Sequence, residues 1–328
     1  MVILAVEDPP AQQPAEPAPP AAAPRPAGTL RHRLRRDGVL VALMIPGIAW
    51  LVVFPYGAAF GNVLAFKDYF PFLGVWTSPW VGLQHFERLL GDDRFWNATA
   101  NTVTISLLQI LFFFPAALGL ALLLHSIAGS TVKRWVQSVV YLPHFLSWVI
   151  VVALFTQMLG GAGVLNGWLA QAGLDPVQLI GNAEMFKPLV IVQMIWKECG
   201  WGTIIFLAAL MNVDEQLYEA AAMDGSGWWR RLWHVTLPSI RPVVMLLLIL
   251  KLGEILSVGF EQFFLQRDAV GPEAGEVIDT FVFFTAFQGG DMGYAAAAGL
   301  FKGLVGAVLI YTANKVAHRL GEQGVYTR

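Results

Sequence analysis

The chain has 328 residues, of which 56% are hydrophobic and only 13% charged, where an average soluble protein carries about 25% charged residues. A globule of this size could not cover itself in water with so few charges, and the positive mean hydropathy points to lipid as the solvent. The net charge of −2 is too small to imply nucleic acid as a partner, and the single cysteine, Cys199, can form neither an intrachain disulfide nor a thiolate metal cluster.

Residues 1–30 form a tail with eight prolines between Pro9 and Pro26 and alanines in most of the gaps. Such a segment cannot bury enough apolar surface to offset its ordering entropy, so it is expected to be disordered. Its apolar opening, Met1 to Val6, is too short for a signal-peptide core and lacks preceding basic residues, so no cleaved export signal is expected. Residues 31–328 then read as one membrane domain. A helix needs about 20 apolar residues to cross a bilayer. Spans are expected at about 39–60, 102–124, 136–159, 188–211, 243–265 and 293–314.

The segments before the first span, between spans two and three, between four and five, and after six hold 13 of the 21 Lys and Arg. The positive-inside rule therefore puts both termini and the segment 212–241 in the cytoplasm. The fold class is all-α: six transmembrane helices with a cytoplasmic helix-turn-helix between spans four and five. Trp76, Trp80 and Trp96, between spans one and two, suit the opposite interface.

The segment 212–241 is too long for a mere connector. Asn212 followed by Glu215 has capping-box spacing, so a helix should start there and run through good helix formers to Asp224. Gly225 suits the left-handed position that ends a helix, and Ser226 can cap a second short helix before Pro238. Taken alone, this hairpin could simply link two spans.

One string within it says more. Glu219-Ala220-Ala221, three residues, Gly225, nine residues, Val235, one residue, Leu237-Pro238 resembles the EAA signature of the membrane subunits of binding-protein-dependent ABC importers, with Val235 where Ile is usual. The resemblance extends from about residue 38 to the C-terminus. Val81-Gly-Leu-Gln-His-Phe-Glu-Arg88, Tyr141-Leu-Pro-His-Phe-Leu-Ser-Trp148, Ile195-Trp-Lys-Glu-Cys-Gly-Trp201, Val258-Gly-Phe-Glu-Gln262 and Val277-Ile-Asp-Thr280 look like the oligo- and polysaccharide branch of the carbohydrate-uptake permeases.

The resemblance implies a permease subunit of the bacterial plasma membrane. Its partners would be a second permease, two ATP-binding subunits and an extracytoplasmic sugar-binding protein. It also implies that the hairpin enters a cleft on the ATPase, with Glu219 facing a basic residue there. Ala220, Ala221, Asp224, Gly225, Leu237 and Pro238 would shape the hairpin, and Trp228, Trp229 and Trp233 would fill an apolar pocket. The tryptophans could instead lie in the lipid headgroup layer. No Gly-x4-Gly-Lys-Ser/Thr occurs, so no ATP hydrolysis by that route is expected of this chain; the resemblance implies that ATP and Mg are held by the partner and that this subunit binds no cofactor and does no catalysis. The six histidines are scattered and suggest no metal site; His144 reads as a packing residue. Against an importer stand two rivals: an ion-driven carrier, which would usually show internal repeats and broken helices, and a membrane enzyme of glycan assembly, which would need a catalytic motif.

Charges fall inside the expected spans: Lys197 and Glu198 in span four, Lys251 and Glu254 in span five, Lys302 in span six. Each would cost about 2.5–3.5 kcal/mol facing lipid at a helix centre, so each should face protein or a water-filled route. They are either ion-paired pins between helices or, with Trp196 and Trp201, the wall of a sugar path. Glu261 would stand near the outer mouth of that path. Three lysines against two carboxylates leave a positive excess that leans toward an anionic sugar such as a uronate oligomer. Against that lean, Lys251 and Glu254 can neutralise each other, and Lys197 and Glu198, being adjacent, point to different faces of one helix, so the excess rests on a single unpaired lysine and a neutral oligosaccharide is the first expectation.

Overall fold

In lipid a backbone must satisfy its own hydrogen bonds, and these apolar runs do so as helices. The computed structural model describes residues 38–319. The tail at 1–30 therefore lies outside the described residues. Among the described residues no strand forms, and the only pairing is an isolated antiparallel bridge between Lys67 and Trp80. Six stretches are long and apolar enough to cross a membrane: Gly38–Phe66, Asp93–Ser126, Trp148–Gln171, Ala183–Met211, Trp228–Gly253 and Met292–Arg319.

Contacts divide the chain into two units, the first ending at Ala59. That unit contains α1 (Gly38–Leu51), continued by a π turn over Val52–Tyr56. Pro46 and Pro55 each withhold a backbone donor here, and a π turn is a usual way for a helix to absorb such a loss.

The second unit, from Phe60 onward, begins its helices with α2 (Gln84–Leu90) and α3 (Asp93–Ser126). Asp92 caps α3, its side chain accepting from the Arg94 amide at 2.9 Å. Next come α4 (Ser130–Tyr141), α5 (Trp148–Leu159), α6 (Val164–Gln171) and α7 (Ala183–Met211). After the hairpin helices α8 (Glu215–Met223) and α9 (Trp228–Gly253) follow α10 (Glu261–Val270), α11 (Ile278–Phe287) and α12 (Met292–Arg319). The central post is α7, half of whose apolar window is buried, more than in any other candidate span. It packs on α3 through Ala117, Ala121, Cys199, Phe206 and Leu210, and the Thr203 hydroxyl donates to the Ala117 carbonyl at 3.1 Å.

Two expected spans are corrected. The third was placed at 136–159 as one rod, but α4 ends at Tyr141, a 3₁₀ turn covers Leu142–Phe145, and α5 starts afresh behind Ser147. Pro143 has no amide proton to continue the ladder, and the Ser147 hydroxyl caps the new helix by accepting from the Ile150 amide at 3.4 Å. The crossing stretch is thus Trp148–Gln171, with α5 and α6 separated by the glycine-rich turn at 160–163.

The fifth span was placed at 243–265. Its helix runs instead from Trp228 to Gly253, and residues 254–260 leave the helix, with Gly259 at φ +105°. A positive φ of that size is a glycine's privilege, and it turns the chain into α10. The segment 266–291, expected as a loop, contains α11, which is apolar but only ten residues long. It folds back on α12 as a helical hairpin whose turn includes Gly290 at φ +70°.

Where α4 meets α7 the backbones touch. A Cβ at Gly200 would lie 2.2 Å from the Val140 carbonyl oxygen. We expect Gly200→Leu to destabilise the protein by about 1–3 kcal/mol or more, because neither backbone can yield. A lowered melting temperature in a detergent thermal-shift assay would show this, and an unchanged one would deny the contact.

Candidate coupling hairpin and membrane charges

The hairpin forms as a helix, a turn and a second helix, with two departures from the expected caps. Asp214, not Asn212, caps α8, its carboxylate accepting from the Gln216 amide at 2.9 Å. Asn212 instead donates to the Ala208 carbonyl at 2.8 Å, closing α7. After α8 the Ser226 amide bonds to the Ala221 carbonyl at 2.9 Å and the Gly225 amide to the Ala222 carbonyl at 3.0 Å. That pair of bonds is a Schellman closure, and it puts Gly225 at φ +71°.

The second arm is not a separate short helix capped by Ser226. Gly227 takes the cap position with no side-chain bond, and α9 then runs through Pro238 by way of a π turn at Leu232–Thr236. The π turn falls just before Pro238, whose missing amide already breaks the regular ladder. The Tyr218 hydroxyl and Thr236 Oγ1, 3.0 Å apart, tie the two arms together.

Exposure separates the hairpin residues by role. Glu219, Ala220, Asp224 and Pro238 are exposed, and Ala221 and Leu237 are half-buried. Glu219 has no ion-pair partner among the described residues. Trp228, Trp229 and Trp233 are 50%, 68% and 62% exposed, a patch of the kind that marks an interface.

The membrane charges assemble into two groups. In the first, Lys197 Nζ lies 2.6 Å from Glu198 Oε1 and donates to the His144 carbonyl at 2.9 Å, while Glu198 Oε2 lies 2.6 Å from His144 Nδ1. Trp201 stacks on the His144 ring at 4.4 Å. Lys197 and Glu198, adjacent in sequence and expected on different faces, still meet because both side chains are long enough to bend toward the break between α4 and α5. Trp196 stands apart, packed edge-on against Phe155.

In the second group Lys302 forms an ion pair with Asp279 of α11. Both line a cavity of about 540 Å³ with Glu254, which lies at the break after α9, and with Gly253, Gly299 and Gly303. Asp279 was missed because it lay in an expected loop. Its place opposite Lys302 about the Gly289-Gly290 turn is the signal that could have revealed it. Lys251 lies within electrostatic reach of Glu254, whereas Glu261 is exposed at the start of α10 and lines neither group. The positive excess is corrected: with Asp279 the three lysines face three carboxylates.

A third feature was not foreseen as a network. Gln193 of α7 bonds to Gln262 and Gln266 of α10 at 2.9–3.0 Å, and Gln262 also donates to the Val190 carbonyl at 2.9 Å. Beside it Gln109 Nε2 donates to the Val258 carbonyl at 3.3 Å in the break. Buried amides thus hold the unwound segment at Val258 and the helix α10 that follows it.

Residues 113–320 match the family model for the binding-protein-dependent transport system inner membrane component. The chain belongs to this family. It is 42% identical to protein LplB of Bacillus subtilis over 89% of this chain and 92% of that one. It is 43% identical to the polygalacturonan/rhamnogalacturonan transport system permease protein YteP of the same organism, over 90% and 92%. Among solved structures it resembles a chain of a bacterial alginate ABC transporter, in complex with an alginate pentasaccharide-bound periplasmic protein. That likeness has a TM-score of 0.81 and 37% identity and covers 90% of this permease and 99% of that chain. Membership favours the importer over an ion-driven carrier or a glycan-assembling enzyme, even though the permease does contain broken helices. It is a multi-pass membrane subunit of a transport system.

Proposed function

We propose that this permease forms half of the translocation pathway of an ATP-driven importer for oligosaccharides that contain uronic acid. The observation that carries the reading is its 43% identity, along 90% of its length, to a permease named for polygalacturonan/rhamnogalacturonan transport. The likeness to an alginate transporter chain points the same way. The membrane charges do not, since they balance, and acidity of the cargo rests on the relatives alone.

The subunit lies in the bacterial plasma membrane with both termini and the hairpin in the cytoplasm, following its Lys and Arg distribution. It pairs with a second permease, and two ATP-binding subunits hold the ATP and Mg. An extracytoplasmic binding protein delivers the sugar. ATP binding draws the ATPases together, and the exposed face of α8 with its Glu219 and the Trp228, Trp229 and Trp233 patch passes that motion to α9. Because α9 ends at Gly253, beside the cavity of Glu254, Asp279 and Lys302, a push on the hairpin reaches the lining of the pathway through one continuous rod.

Proteoliposomes holding the whole complex, supplied with its binding protein, test this. Labelled uronate oligomers should accumulate only with ATP inside, and matched neutral oligomers much less. The purified single chain should hydrolyse no ATP. Uptake driven by an ion gradient alone would overturn the importer, and equal uptake of the neutral oligomer would overturn the acidic cargo.

A further inference from the structure

A separate cavity of about 260 Å³ lies between the hairpin and the end of α3. Its polar lining is His125 and Ser126 from α3, Tyr218 from α8, and Trp228, Arg231 and Thr236 from α9. Arg231 is half-buried, and its Nε is buried with no hydrogen-bond partner among the described residues. The guanidinium has no ion-pair partner among the described residues, and a half-buried cation in the wall of a cavity is matched best by an anion seated in it. No carboxylate lines the cavity. Lys133 acts on His125 through its charge, so the surroundings favour an anion.

Position narrows the choice of anion. Ser126 closes one crossing helix and Trp228 opens another, so the cavity lies at the depth where lipid headgroups meet a protein. Trp135, 70% exposed, stands at the same end, as interfacial aromatics do. A guanidinium with neighbouring hydroxyl and imidazole donors matches the oxygens of a phosphate. Basic pockets between helices at this level are suited to anionic headgroups.

We propose that this cavity seats the phosphate of an anionic glycerophospholipid, held chiefly by Arg231, so that one lipid is wedged between the end of α3 and the hairpin. The proposal needs only that the spans cross the membrane, and it stands whether or not the hairpin transmits force.

The test uses the assembled transporter, exchanged into mixed phosphatidylglycerol and phosphatidylcholine and examined by native mass spectrometry. Wild type should retain phosphatidylglycerol over phosphatidylcholine by about fivefold, the preference one interfacial cation supports. Arg231→Gln should erase that preference and Arg231→Lys keep part of it, while Arg230→Gln, which removes an exposed neighbouring charge, should leave it unchanged. An equal loss in Arg230→Gln would mean general surface charge and overturn the site. Displacement of the lipid by millimolar inorganic phosphate would make it a site for free anion and overturn the lipid. Release of the ATPase subunits by Arg231→Gln with lipid retention unchanged would mean that the guanidinium meets a partner protein, also against the proposal. Should Arg231→Gln fail to assemble, Ser126→Ala with His125→Leu removes the opposite wall, and a retained preference there would overturn it.

Discussion

ATP-driven uptake is expected to fall to background in Gly225→Val and in Glu219→Lys, with both proteins still present in the membrane. Gly225 closes α8 at φ +71°, and a Cβ added there would meet nothing within 4 Å. The harm is therefore conformational: a β-branched residue held in the left-handed region costs about 1–3 kcal/mol and reopens the Schellman closure. The second arm would leave α8 at a new angle. Gly225→Ala should cost less and Gly225→Asn least, since Asn tolerates the left-handed region best of the three.

Glu219 is exposed on α8, so its reversal disturbs no contact within the chain and acts on the partner. Losing a charge pair at such an interface typically costs about 2–5 kcal/mol, enough to prevent docking. Uptake in vesicles, with immunoblots of membrane and complex, separates transport from assembly. Normal uptake in both variants would sink the coupling role.

Breaking the pair between Lys302 and Asp279 should have the next largest effect. Both groups are mostly buried, with side chains 21% and 25% exposed. Lys302→Met leaves Asp279 as an unmatched carboxylate facing a cavity that already holds Glu254. Removing one partner of a buried pair costs about 3–5 kcal/mol, because the remaining charge keeps its desolvation penalty. The double variant Lys302→Met with Asp279→Leu removes both charges and should recover most of that loss. Melting temperatures of the purified complex measure this directly. If the double variant is no more stable than Lys302→Met, the pair is not what holds α11 against α12. Uptake of uronate and neutral oligomers by the double variant then shows whether these charges also touch the cargo.

The number of crossings was legible because hydropathy sums over some twenty residues, and a long apolar run survives small errors within it. Breaks were not, for the same reason. Pro143, His144 and Ser147 lie inside an apolar stretch, and averaging hides a turn that one missing amide and one capping hydroxyl create. At 254–260 the decisive element is Gly259, whose φ of +105° no composition reveals. Helix α11 escaped because ten residues fall short of a crossing, so an apolar half-span reads like a loop.

At the hairpin the turn glycine was legible from spacing, since Gly at the end of a helix has few other uses. The start of α8 was not, because Asn212 and Asp214 are both good caps. Asn212 was drawn off by the last turn of α7. Asp279 could be found only through its partner, because pairing across a helical hairpin depends on where the turn falls.

The antiparallel hairpin of α11 and α12 has a consequence for how the chain enters the bilayer during synthesis. Asp279 and Lys302 stand at nearly equal distances on either side of the turn at Gly289 and Gly290. Had α11 been released into lipid first, its carboxylate would have entered bare. Entering as a closed hairpin, the two helices would bring in an acid and a base already joined, as a neutral unit. A break in the turn, such as Gly290→Pro, would therefore show itself first as failed insertion of the last crossing, before any defect in transport.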